Sequence, residues 1–208
     1  MDTQPSSRRR GPRIFDRNEA IETAMRLFWR HGYEGVSISD LTSAIGIMPP
    51  SLYAAFGSKA DLYREALDRY GTLRGALDGL VQAESLDEAV VGLFREAISA
   101  VTRSPTERGC MVSSGMLQCA PEHHALARDL AARRGAMRDA VAESLSRWLE
   151  PPAAATLAGY LIVVLQGLSV QARDGASRDE LQRWADEAVS GIRARRLERP
   201  GLSLAFKD

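Results

Sequence analysis

Apolar residues recur at intervals of three and four along most of this 208-residue chain, and almost every periodic stretch fits a helix rather than an alternating strand. After Asp16, the residues Ala20, Ile21, Ala24, Met25, Leu27 and Phe28 make one helical face, which the run HGYEG from His31 to Gly35 brings to a stop. Ile38, Leu41 and Ile45 make a second face only two turns long. Gly46 ends it, and Leu52 and Phe56 open a third directly behind Pro49 and Pro50. From Ser58, the spacing of Leu62, Ala66, Leu67, Tyr70, Leu73 and Leu77 predicts a long helix that Gly71 and Gly75 bend or fray. Further helices are predicted over 86–101, over the short run CMVSSGMLQCA, from Pro121 to Trp148, over 153–171 and from Ser177 to about Arg196. Five starts carry a capping side chain with an acid three residues later: Asp16 with Glu19, Ser37 with Asp40, Ser58 with Asp61, Ser85 with Glu88, and Ser177 with Glu180. The pattern predicts an all-α fold of about nine helices.

The punctuation between the second and third stripes has a physical reading. Gly46 can take the positive φ that ends one helix, Ile47 fills the gap between elements, and a proline suits the first turn of the next, where its missing amide has no intrahelical acceptor. Two short helices around a tight turn match the helix-turn-helix unit, whose second helix fits the DNA major groove; the competing reading is an ordinary helical hairpin. Charge adds to this picture only at the front. The net charge is zero, but Arg8, Arg9, Arg10, Arg13 and Arg17 stand against only Asp2 and Asp16 in the first seventeen residues. That arm is either a solvated tail or a phosphate-seeking one.

The stretch from Ala20 to Tyr63, AIETAMRLFWRHGYEGVSISDLTSAIGIMPPSLYAAFGSKADLY, resembles the amino-terminal domain of tetracycline-repressor-type (TetR/AcrR) transcriptional regulators. The shared elements are Phe28 before the Gly32-Tyr33 turn, the run Ser37 to Leu41, Gly46, Leu52-Tyr53, Phe56, Lys59 and Leu62. The resemblance implies a helix-turn-helix domain over residues 18–62 and a ligand-binding and dimerisation domain over 63–200; ahead of them the charge pattern marks a disordered basic arm over 1–17, and 201–208 is left as a tail. The resemblance further implies a homodimer on a palindromic double-stranded DNA operator, released by a small-molecule effector, with no cofactor. By analogy Ser37, Tyr53 and Lys59 contact phosphates, and the DNA-facing set extends to Ser39, Pro49, Pro50, Ser51, Ala54, Ala55 and the arm residues Arg8, Arg9, Arg10 and Arg13. The chain departs from the family at Met48, Pro49, Pro50, Ala54 and Ala55, where polar or basic side chains are usual. Base readout is therefore expected to rest on thymine methyls, on Ser51, or on DNA shape and the arginine arm.

The rest of the chain must supply effector binding and dimerisation. Phe94, Cys110, Met111, Met116, Leu117, Met137 and Trp148 are the expected pocket, with a plain helical core as the alternative. The last two helices are the expected dimer seam, through Tyr160, Leu161, Val164, Leu165, Leu168, Trp184 and Val189, with a core inside one subunit as the alternative. The run from Ala153 to Val170 is barely long enough to cross a bilayer and holds Thr156, Gln166 and Ser169, so a buried or interface helix is expected and no membrane partner. Two cysteines are too few for a disulfide framework, and no apolar signal segment follows Met1, which points to the cytoplasm.

Cys110, near an expected helix start, allows a second reading as a redox or electrophile sensor, against inert packing. Cys119 and His123 are four apart, a spacing that can share a metal, but Pro121 between them argues for a helix boundary, and no metal site is expected. His123 and His124 are expected to be a solvated pair. An enzyme is not expected: the chain has no glycine-rich phosphate loop after a strand, no nucleophile turn and no zinc pattern.

Overall fold

All five capping sites open helices in the computed structural model, which describes residues 15–72 and 78–198. Asp16 accepts from the amides of Asn18 and Glu19 to start α1 (Arg17–His31). Ser37 and Asp40 form a reciprocal capping box at the head of α2 (Ile38–Ile45), and α3 (Pro49–Phe56) follows after a three-residue turn. Ser58 caps α4 (Lys59–Thr72) through the Asp61 amide at 3.1 Å. Beyond residues 73–77 come α5 (Asp78–Gln82) and α6 (Leu86–Thr102), the latter capped by Ser85. A single turn, α7 (Met111–Ser114), and a 3-10 turn (Pro121–His123) precede the three long helices α8 (His124–Leu145), α9 (Pro151–Arg173) and α10 (Arg178–Glu198).

Three expectations are corrected. The helix predicted from Ser58 to Leu77 ends at Thr72 among the described residues, and α5 is a separate element, bringing the α-helices there to ten; Leu73 and Leu77 lie outside the described residues. The run CMVSSGMLQCA is helical for one turn only, because Gly115 is extended and Met116 takes a φ of 51°, a left-handed value that cannot continue a helix. The helix expected from Pro121 to Trp148 begins as a 3-10 turn and stops at Leu145.

The apolar stripes meet where the pattern requires. α1 packs along α4 and across α2, and α3 closes the group against α2 and α4. Behind this group α8 and α9 pair along their length, α6 packs on α5, α9 and α10, and α7 wedges between α4, α8 and α9. The two groups share one continuous core from Ala20 to Val189.

The loop after α6 ties the two groups together through polar contacts as well. Trp29 Nε1 donates to the Gly109 carbonyl at 3.1 Å, and the Arg173 guanidinium donates to the Trp29 carbonyl at 2.5 Å. The Met111 amide donates to the Tyr70 hydroxyl at 3.0 Å, and the Ala120 amide to Glu34 at 2.8 Å. Gly109 is required here: its φ is 75°, and a Cβ would lie 2.8 Å from the Ser169 carbonyl oxygen. Arg30 of α1 pairs with the buried Glu107, which also accepts from the hydroxyls of Ser104 and Thr106.

Burial pushes the Glu107 carboxyl up, but the bonds from Ser104, Arg30 and Thr106 and the Arg30 charge outweigh it and hold the group below its ordinary 4.5. A depressed carboxylate contributes stability above its unfolded value and loses it as pH falls through the folded one. Glu107→Gln is therefore expected to cost about 1–2 kcal/mol at pH 7, by denaturant melts, with the difference from wild type shrinking below about pH 4.

Candidate nucleic-acid interface

The turn between α2 and α3 is built from three backbone choices. Gly46 sits at φ 80°, ψ 35°, and its amide and that of Ile47 both donate to the Thr42 carbonyl, at 2.9 and 3.1 Å. Met48 is extended, and its carbonyl accepts from the amides of Ser51 and Leu52 while Pro49 and Pro50 fill the positions where no amide is needed. Leu52 is fully buried and Phe56 nearly so, which fixes the rotation of α3 about its axis. The opposite face is turned to solvent: Met48 is 71% exposed and Tyr53 47%, with Pro49, Pro50, Ser51 and Ala54 exposed and Ala55 half-buried. That outward face holds no charged side chain.

Cationic groups stand near the carboxy-terminal end of this helix instead. Lys59, at the start of α4, places its Nζ 4.2 Å from the centre of the Tyr33 ring. Burial lowers its ammonium from the ordinary value, while the charges of Glu34 and Asp40 act against that. Arg17 lies over the Phe56 ring at 4.9 Å and pairs with Glu65 at 2.6 Å, and Phe15 packs edge-on to Phe56 at 6.2 Å. The arm therefore enters the described chain beside the end of α3; Arg8, Arg9, Arg10 and Arg13 lie outside the described residues. Ser37 is exposed, but its hydroxyl donates to Asp40 at 2.7 Å and caps α2, so it is engaged in the fold, whereas Ser39 one residue on is exposed.

Residues 20–66 match the family model described as bacterial regulatory proteins, tetR family. The chain is 33% identical over 193 residues to the HTH-type transcriptional repressor ComR of Escherichia coli K12, covering 88% of this chain and 92% of that protein. This chain belongs to the tetR family. It is also 34% identical over 197 residues to the repressor BdcR of the same organism, covering 93% of this chain and 98% of BdcR. Among solved structures, a cysteine mutant of the TetR family regulator CifR, complexed with 26bp double-strand operator DNA, superposes with a TM-score of 0.80 at 39% identity. It covers 86% of this chain and 98% of CifR.

Beyond the tetR-type unit, the expected pocket residues do not converge. Met111 and Met116 line a cavity of about 170 Å³ between α1, α4, α7 and the end of α9. Phe94 is buried core, Leu117 is exposed because it follows the left-handed Met116, and Met137 and Trp148 lie half-buried against the core. A second cavity, about 180 Å³, opens between α1, α4 and α6 beside Trp29 and Tyr70. Of the expected seam, Leu161, Leu168 and Val189 are buried within the subunit and cannot present an outer surface. Tyr160 and Trp184 are exposed, with Val164 and Leu165 half-buried. The exposed apolar stripe of α9 runs instead through Tyr160, Val163, Gly167 and Val170. α9 is long and apolar enough to cross a membrane by length and composition, and here it packs on α6, α7, α8 and α10.

The cysteines and histidines take unremarked places. Cys110 is 4% exposed and caps α7, its Sγ accepting from the Ser113 amide at 3.5 Å; Cys119 is half-buried, and neither forms a disulfide. Among the described residues no three His, Cys, Asp or Glu side chains converge as metal ligands. Of the expected solvated pair, His124 is exposed, whereas His123 is half-buried, its ring set edge-to-face with Tyr33 at 4.9 Å between centroids. Sequence reasoning passed over Tyr33 as more than a turn marker, although it packs against Phe28, Tyr63, His123 and Lys59 at once.

On double-stranded DNA, Lys59→Ala is expected to weaken binding about equally on all sequences and to reduce the slope of log affinity against log salt by about one. Titrations between low and moderate salt measure both; an unchanged slope would remove Lys59 from the phosphate contacts.

Proposed function

We propose that the chain is a cytoplasmic transcriptional repressor that binds a palindromic operator as a homodimer and is released by a small-molecule effector. The single observation that carries this reading is the outward face of α3: exposed, groove-sized, and held from behind by Leu52 and Phe56. In this reading residues 18–62 make up the DNA-binding unit and 63–200 the part that binds ligand and dimerises. Lys59, Tyr53 and Ser39 position the protein on phosphates, while Pro49, Pro50, Ser51, Ala54 and Ala55 face base edges. With no charged side chain on that face, specificity falls to apolar contact with thymine methyls, to the Ser51 hydroxyl, and to the arginine arm. The likeness to ComR, BdcR and operator-bound CifR supports the DNA partner.

Two-fold symmetry needs a self-complementary surface. The α9 stripe through Tyr160, Val163, Gly167 and Val170, together with Trp184 and Gly191 on α10, offers an apolar patch with two glycines where helices can approach closely. Selection of bound duplexes from a random pool tests the whole reading: inverted half-sites are expected, and recovery of no enriched sequence would refute it. Val163→Arg, which buries a charge in the proposed seam, is expected to give a monomer by light scattering and to weaken operator binding at least about a hundredfold.

A further inference from the structure

The cavity of about 170 Å³ lies where the DNA-binding unit meets the loop after α6. Its size suits one ring: a void of about 150 Å³ takes benzene, and drug-sized sites begin near 300 Å³. Three of its walls are aromatic. Phe28 stands edge-on to Tyr63 at 4.9 Å, and Tyr33 lies 5.2 Å from Tyr63 and 6.1 Å from Phe28. Met111 and Met116 add thioethers, which favour contact with aromatic guests.

The polar groups in this lining favour an anion. Tyr63 is 1% exposed and makes no hydrogen bond to the described residues, yet no fully enclosed side-chain oxygen or nitrogen among them lacks a partner. Its hydroxyl therefore faces the void as an unmatched donor. Burial pushes this phenol up to about 12, against the charges of Arg173, Arg133 and Arg134, so at neutral pH it keeps its proton and sits in a positive field. Arg173 also lines the cavity, with one of its five N–H groups given to the Trp29 carbonyl. Glu34, the one carboxylate in the lining, accepts from the Ala120 amide.

We propose that this cavity is the effector site and takes a small aromatic monocarboxylate, held through its carboxylate by Tyr63 and Arg173 and through its ring by Phe28 and Tyr33. The proposal rests on the repressor reading for its consequence. Tyr33 is both a wall of the cavity and the ring beneath the Lys59 ammonium, so a guest that displaces Tyr33 re-aims the group expected to grip phosphate. Effector and DNA thus compete through one aromatic side chain.

Calorimetric titration of the full-length protein with sodium benzoate tests the site, with benzyl alcohol as the neutral comparison and Tyr63→Phe as a variant that keeps the ring packing. One benzoate per chain is expected, with affinity falling about tenfold both for benzyl alcohol and in Tyr63→Phe, the effect of one hydrogen bond to a charged group. In parallel, benzoate is expected to weaken the protein's hold on a selected operator duplex, less so in Tyr33→Leu. No heat at about 10 mM benzoate, or equal affinity in Tyr63→Phe, would overturn the site. Benzoate binding that leaves the duplex held unchanged would overturn the effector role. A wild-type protein that holds no duplex at all would sink the repressor reading instead, and the calorimetry would still decide the cavity.

Discussion

An eight-residue helix is not stable by itself in water, so α3 exists only because its neighbours hold it. Its own resources are few: no side chain caps its first turn, no acid stands there, and no cation closes its end. Two buried side chains, Leu52 and Phe56, supply the anchorage, at about 1.5–3 kcal/mol for each fully buried group. Because they are four apart, they also fix which way the remaining residues look. The outward aim of Met48, Pro49, Pro50 and Tyr53 is thus a consequence of the inward packing, and the Gly46 turn sets the angle at which α3 leaves α2.

The same logic extends to the joint with the rest of the chain. α1 is shared: its inner face packs on α4, while its last turn is tied by Trp29 and Arg30 to the loop at 107–109. That loop is in turn fixed to α9 by Arg108 on the Ala172 carbonyl and by the Cys110 amide on the Ser169 hydroxyl, while Arg173 of α9 reaches the Trp29 carbonyl of α1 directly. A movement in the long helices therefore has a short, hydrogen-bonded path to the residues that orient α2, α3 and Lys59. Tyr33 stands at the meeting point, touched by Phe28, Tyr63, His123 and Lys59.

What was legible in the chain was local. A Ser or Asp with an acid three residues on, standing ahead of an apolar stripe, reports its own helix start, and the five pairs so placed open helices because the interaction closes within one turn; Ser104 and Glu107 make the same bonds in a loop that no such stripe follows. The Gly46-to-Pro50 turn was legible for the same reason. Where the outcome depends on tertiary packing, periodicity misled. α9 is apolar on most sides, so spacing alone could not separate Leu161 and Leu168, which face the core, from Val163 and Val170, which face solvent. Nothing in CMVSSGMLQCA announces the left-handed Met116, whose conformation breaks the helix and throws Leu117 outward. The role of Tyr33 was hidden because its partners, Tyr63 and His123, lie far along the chain.

The central claim is that an uncharged helix face, pressed outward by Leu52 and Phe56, reads the major groove through apolar contact. Replacing thymine by uracil, one position at a time, in a selected operator half-site removes only the methyl group such a face would touch. Binding measured at constant salt is predicted to weaken about fourfold at one or more thymines of each half-site, the worth of one buried carbon, and to stay unchanged at the others. Equal affinity at every substituted position would contradict the account.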